Sequence, residues 1–207
     1  MTARSQSSLV PLVHELPDPG DLLALHCMAP ERYPFLLESA AAGTAQGRCD
    51  LLLGWPGAAL VLDSQWRLSG PCSDGEQDFL RALDRWWRRE RGVSADPWPL
   101  AGGGWFLYLG YELAAQVEPV LHLDPPRDMP VAFAVRTGAA VLRDRASGRC
   151  RIMARDAATL RAVETDLANA ADTAIPAWPG LAAPAAEESP ETFLHAVRRA
   201  REYIVAG

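Results

Sequence analysis

The chain contains no lysine: all 20 of its basic residues are arginine. No side chain can therefore form a Schiff base with a carbonyl substrate, and no phosphate-loop lysine exists. The cysteines, Cys27, Cys49, Cys72 and Cys150, are scattered without a C-x-x-C pair, and His14, His26, His122 and His195 are equally dispersed. Such spacing gives neither a disulfide frame nor the convergent ligands that zinc needs, so no metal or other cofactor site is expected on the chain. No apolar run approaches the ~20 residues of a membrane span, and residues 1–16 lack the apolar core of a signal peptide. A net charge of −6 argues against general affinity for nucleic acid or anionic membrane. The expectation is a cytoplasmic protein that works on neither.

What is present fits one good-sized globular domain, or one domain and part of another, in 207 residues with 49% hydrophobic and 22% charged composition. The stretch from Gly102 to Glu118 stands out. Three glycines lead into Trp105-Phe106-Leu107-Tyr108-Leu109, which Gly110 breaks before a short helical run from Tyr111 to Gln116. A run apolar on both faces predicts a strand buried on both sides, in the middle of a sheet.

Around it the pattern predicts an α+β fold, a mainly antiparallel sheet with packed helices. Leu9 to Leu16 reads as a first strand, and Asp18-Pro19 as the cap and first turn of a helix. Tyr33 to Ser39 and Arg48 to Pro56 read as strands around a small-residue loop. Ala58–Leu62 and Trp66–Leu68 read as a hairpin. Ser73-x-x-Glu76 has the spacing of a capping box ahead of a helix carrying Phe79, Leu80, Leu83, Trp86 and Trp87. Val131–Arg143 and Arg149–Ala154 form a second hairpin, and Asp156 caps an alanine-rich helix. The expected organisation is a domain over 1–171, a proline- and alanine-rich linker over 172–189, and a helix over 190–207. That last helix starts at Ser189-Pro190-Glu191 and carries Phe193, Val197, Ala200 and Ile204 on one face.

These motifs together resemble the N-terminal domain of the chorismate-utilising component I enzymes, anthranilate synthase and aminodeoxychorismate synthase. The residues that carry the resemblance are Gly103-Gly104, the aromatic run, Gly110-Tyr111-Glu112-Leu113 and Glu118, together with Leu36-Leu37-Glu38-Ser39. The segment from Ser189 to Gly207 is similar to the helix that opens that family's catalytic domain. Asp50, after Arg48-Cys49, resembles the aminodeoxychorismate branch, as does the early start of the catalytic-domain helix. The resemblance implies the non-catalytic N-terminal part of an enzyme that aminates chorismate to 4-amino-4-deoxychorismate for p-aminobenzoate and folate synthesis. It also implies a glutamine amidotransferase subunit as partner, and Mg2+ in the catalytic half outside this chain. The alternatives are the same part of an anthranilate synthase, with a tryptophan feedback site, or a stand-alone amino-acid-binding or docking module.

The resemblance further implies a tryptophan pocket formed by Glu38, Ser39, Gln46, Gly47, Arg48 and Cys49, the last standing where the family usually has an aromatic. A free amino acid needs acceptors for its ammonium and donors for its carboxylate, which these groups include. The plainer reading is that Glu38 and Ser39 end a strand and satisfy local backbone. Elsewhere, the arginines around Trp86 and Trp87 read as the solvated side of an amphipathic helix, paired with Asp84 and Glu90, and not as a nucleic-acid surface. Gly102-Gly103-Gly104 lacks the spacing of a phosphate cradle. Glu112 and Glu118 are of a type that serves as general acids, but carboxylates on a short exposed helix are usually just solvated. No catalytic residue is expected on this chain.

Overall fold

The computed structural model describes residues 12–41, 44, 47–90, 103–177, 179–180 and 187–207. The strands are β1 (Leu12–Pro17), β2 (Phe35–Leu37), β3 (Cys49–Leu62), β4 (Leu68–Ser69), β5 (Gly104–Leu109), β6 (Ala132–Asp144) and β7 (Arg149–Ala154). The helices are α1 (Leu23–Met28), α2 (Phe79–Glu90), α3 (Ala114–Val117, after a 3-10 turn at Tyr111–Leu113), α4 (Ala157–Ala170) and α5 (Pro190–Ala206). All the paired strands run antiparallel, so the fold is α+β with a mainly antiparallel sheet.

Two long strands organise that sheet. β3 and β6 pair along nearly their whole length, with an irregularity between Pro56 and Ala59, just after Trp55, which takes a positive φ of 59°. The two strands expected at 48–56 and 58–62 are thus one bulged strand. The outer partners change along it. At one end of the pair, β7 and β1 flank β6 and β2 flanks β3, in the order β1-β7-β6-β3-β2. At the other end β5 flanks β6 and β4 flanks β3.

Each end has its own core. In the first, Leu52, Val141 and Ile152 lie side by side across β3, β6 and β7, under Leu22 and Leu25 of α1 and Val163 and Leu167 of α4. Tyr33 is fully buried there, and its hydroxyl donates to Asp166 at 2.7 Å. Burial pushes the Tyr33 phenol well above its usual range, with the Asp166 bond adding to the shift. Arg32 donates to both oxygens of the same carboxylate, at 2.9 and 2.7 Å, and its guanidinium lies 5.2 Å from the Trp55 ring. In the second core, Leu60, Leu62, Ala132 and Ala134 meet Phe79, Ala82 and Trp86 of α2. Each large apolar side chain sealed in this way contributes about 1.5–3 kcal/mol.

Three expectations are corrected here. The strand Trp105–Leu109 is not central: β5 pairs only with β6 among the described residues, and Leu107 and Leu109 are exposed. β6 has two edges; one is filled by β3, and β5 and β7 share the other end to end, which leaves β5 outermost. The run is still apolar on both faces because Trp105 packs edge-on against Trp86 while Phe106 stacks on Phe35. Its leading glycine is required: a Cβ on Gly103, at φ +102°, would sit 2.1 Å from the Thr137 carbonyl oxygen.

The capping box is the second correction, and the cap of α1 the third. Helix α2 begins at Phe79, where Asp78 Oδ1 accepts from Arg81 N at 2.9 Å and Gln116 Oε1 accepts from Phe79 N at 2.9 Å. Ser73 and Glu76 build the preceding turn instead, because Gly75 at φ +69° interrupts the chain before the helix. Asp18 likewise does not cap α1. Its carboxylate accepts from Gly20 N and from Arg143, while Asp21 accepts from Leu23 N. The hairpin β6–β7 and the Asp156 cap on Thr159 N, at 2.7 Å, lie where the pattern put them.

Residues from Pro176 onward form a separate compact unit. Its 17-residue helix α5 starts with Ser189 accepting from Thr192 N at 3.2 Å and Pro190 in the first turn. Among the described residues, no helix is long and apolar enough to cross a membrane.

Candidate functional site

β2 ends at Leu37, opposite Leu51, and the chain then leaves the sheet in a tight corner. Ser39 Oγ accepts from Ala41 N at 3.2 Å, and Thr44 Oγ1 donates to the Ala41 carbonyl at 2.8 Å while accepting from Gly47 N at 3.0 Å. The returning chain passes so close that a Cβ on Gly47 would lie 2.0 Å from Ala41 O and 3.2 Å from Ser39 Oγ. Glu38, Ser39 and Gly47 therefore share one corner, at the end of the half-sheet covered by α1 and α4. The hydroxyl of Ser39 does serve local backbone, as the plainer reading has it.

Beneath the corner lies a charge network. Asp50, fully buried, accepts from Arg145 Nε at 2.7 Å and has Arg145 Nη2 2.5 Å from its other oxygen as an ion pair, with Arg143 Nη1 3.5 Å away. Arg143 turns its other nitrogens to Asp18, at 2.8 and 3.1 Å. Arg145 also donates to the Ser39 carbonyl at 3.2 Å and holds Nη2 3.8 Å from Glu38. The Asp50 and Asp18 hydrogen bonds raise Arg145 and Arg143 further above their usual pKa, and the Arg143 bond lowers Asp18. Glu38 moves the other way. Desolvation, then repulsion from Asp21 and Asp50, raises its carboxyl despite Arg145.

The remaining expected residues do not all join them. Arg48 makes a two-pronged pair with Asp144, Nε to Oδ1 at 2.9 Å and Nη2 to Oδ2, so its guanidinium closes the β6–β7 turn. The Asp144 carboxyl also accepts from Ala146 N and Ser147 N, and with Arg48 as the largest influence it is held far below the usual carboxylate range. Cys49 is exposed, opposite Asp144 in the ladder. Gln46 lies outside the described residues.

Arg145 is the residue that sequence reasoning missed. It stands 95 positions from Asp50 and 106 from Ser39, in the turn between the two strands of the second hairpin. The pairing of Asp50 with Arg143 across β3 and β6 would have pointed to it, had the register been known. The corner offers a carboxylate at Glu38 and a guanidinium at Arg145, the two charges that a free amino acid's ends require.

The other candidates fall elsewhere. Glu112 and Glu118 follow β5, at the opposite end of β6 from Arg145. On α2, Arg81, Arg85 and Arg88 pair with Asp78, Glu76 and Asp84, so Glu76 and Asp78 serve where Glu90 was expected. Trp86 is buried as expected, but Trp87 is 44% exposed because it falls on the outer side of the helix. Arg81, Arg85 and Arg88 are thus partners of carboxylates at the helix surface. No known family model matches this chain, and no curated protein sequence matches it.

Proposed function

We propose that this chain is the N-terminal, non-catalytic part of an aminodeoxychorismate synthase component I. In the whole enzyme, ammonia replaces the 4-hydroxyl of chorismate and water leaves, giving 4-amino-4-deoxychorismate. The observation that carries the reading is the corner where Glu38, Ser39 and Gly47 meet over Arg145. It falls on the Leu-Leu-Glu-Ser motif by which the sequence resembles the family.

In this reading the corner holds tryptophan by its charged end. Glu38 faces the ammonium. Arg145, not Arg48, faces the carboxylate, because Arg48 is already committed to Asp144 by two hydrogen bonds. The 3.2 Å bond from Arg145 Nη1 to the Ser39 carbonyl is long enough to be exchanged for a ligand carboxylate. Among the described residues no group of three His, Cys, Asp or Glu side chains that could hold a metal ion is found.

The test is a product assay. The full-length protein, given chorismate, ammonium and magnesium, should form 4-amino-4-deoxychorismate, and residues 1–207 alone should form none. Anthranilate as the product would assign the chain to the other branch of the family. The absence of both products from active, folded full-length protein would overturn the reading.

A further inference from the structure

Asp50 is fully buried beneath the corner, and its grip on Arg145 decides which way that side chain points. A guanidinium has two edges that can take a carboxylate, Nε with Nη2 and Nη1 with Nη2. Arg145 turns the first edge to Asp50: Nε donates to one oxygen at 2.7 Å, and Nη2 lies 2.5 Å from the other. The second edge is thereby directed at the corner. Nη1 donates to the Ser39 carbonyl at 3.2 Å, and Nη2 stands 3.8 Å from Glu38, too far for a hydrogen bond. That edge meets one neutral acceptor at the long end of the hydrogen-bond range, where a carboxylate would bring two charged ones.

The base of the side chain is fixed as well. Arg145 N donates to Arg48 O at 3.0 Å, and Gly148 N closes the turn on Asp144 O at 3.0 Å. On the other flank of Asp50, Arg143 brings Nη1 to 3.5 Å while Asp18 holds its Nε and Nη2. Among the described residues Asp50 has only these two arginines as partners. Arg145 therefore cannot turn toward water without leaving a buried carboxylate with one distant partner, which costs far more than breaking a surface pair. Arg48 is the contrast. Its side chain is 54% exposed, and Asp144 keeps Ala146 N and Ser147 N as donors if Arg48 swings away.

We infer that Asp50 is a positioning residue for the ligand. By taking the Nε–Nη2 edge of Arg145 it keeps the Nη1–Nη2 edge turned into the corner, and so makes the site select ligands that carry a carboxylate beside their ammonium. The inference rests on the reading above, in which the corner takes an amino acid by its charged end. A lysine at 145 would supply the charge without the fork, since an ammonium offers no planar pair of donors. Arg143 buttresses Asp50 and is not a ligand contact, because Asp18 holds two of its nitrogens.

The test is a calorimetric titration of the full-length protein with tryptophan and with tryptamine, the same molecule without its carboxylate. The wild type should bind tryptophan about tenfold or more tightly than tryptamine. Asp50→Asn and Arg145→Lys should each weaken tryptophan about tenfold or more, and tryptamine much less. Because both act through one guanidinium, the double variant should lose little more tryptophan affinity than either single variant. Arg143→Gln should keep the wild-type preference. Asp50→Ala stands in, with the same expectation, if Asp50→Asn does not fold. A variant at Asp50 that weakens both ligands alike, or losses that add in the double variant, would overturn the inference and make Asp50 a structural residue only. Full tryptophan preference in Arg145→Lys would overturn it too, since charge alone would then suffice. A wild type that binds tryptophan while the Asp50 variants fail these expectations leaves the corner standing and sinks this inference alone. A wild type that binds neither ligand overturns the corner, and the inference with it.

Discussion

The two ends of the β3–β6 pair share the same two strands yet finish in opposite ways. At the β7 end, two helices cover the sheet, and the strand ends are tied by arginines reaching Asp18, Asp50 and Asp144. At the β5 end, among the described residues, one helix covers the sheet, the outer strand is an edge, and the chain leaves it exposing Leu109 and Tyr111 near carboxylates that make no ion pair. A strand end sealed by paired charges satisfies its own polar groups, whereas one left apolar beside carboxylates keeps that surface in solvent.

The largest effects test whether the two ends are one cooperative body. Phe79 and Leu52 are both fully buried, one in each core. Phe79→Ala should cost roughly 3–5 kcal/mol and Leu52→Ala roughly 2–5 kcal/mol, from lost transfer energy plus the cavity left behind. Because β3 and β6 run through both cores, either substitution should lower one shared transition in denaturant, seen alike by tryptophan fluorescence and far-UV circular dichroism. Two separated transitions in either variant would mean that the ends fold independently, and the comparison would become one of two domains.

Asp50→Ala comes next. Removing the buried carboxylate leaves Arg145 and Arg143 without the acceptor around which they converge. Breaking a buried pair by removing one partner costs about 3 kcal/mol at the low end, the applicable end here because both guanidinia can turn toward water. A chemical-denaturation difference below about 0.5 kcal/mol, the ordinary surface value, would show that the network is ornamental.

How much of this was legible beforehand depended on whether the signal was local. The β6–β7 hairpin, the α4 cap at Asp156 and the α5 start at Ser189 are decided by residues within a few positions, and each forms where the pattern put it. The place of β5 was not, because an apolar run packed between Trp86 and Phe35 has the same composition whether it lies at the centre or the edge of a sheet. The α2 start was misassigned because two acceptors compete: Ser73 has the right spacing, but Asp78 and Gln116 hold the bonds. At the corner, Glu38, Ser39 and Gly47 were readable as neighbours across a short loop. Arg145 was not, since only the strand register brings residues 38 and 145 together.

A ligand titration sharpens the division of labour between the two arginines. If Arg145 faces a tryptophan carboxylate in the full-length protein, Arg145→Ala loses a charge-assisted hydrogen bond, about 1.5–3 kcal/mol or ten- to a hundredfold in affinity. Ser39→Ala should weaken binding less, since its hydroxyl already accepts from Ala41 N. Arg48→Ala should change affinity little, because its guanidinium is held by Asp144. Equal losses at Arg48 and Arg145 would break the assignment. So would tryptophan binding that ignores Arg145.

The smallest effect separates the two carboxylates that move in opposite directions. Asp144 is depressed by its Arg48 bond, so its contribution is present above the unfolded carboxyl pKa of about 3.9 and is lost as pH falls through the lower folded value. Glu38 is raised, chiefly by desolvation, so its contribution is present below about 4.3 and is lost as pH rises through the higher folded value. Asp144→Asn should therefore be less stable than the wild type at pH 7, with the difference shrinking toward pH 2 as the carboxyl of the unfolded chain protonates. Glu38→Gln should be at least as stable as the wild type at pH 7, the two again converging in acid. Urea unfolding of the three proteins from pH 7 to pH 2 checks both signs at once. Curves that stay parallel would show that neither carboxyl changes its protonation between folded and unfolded chains in the way its neighbours dictate.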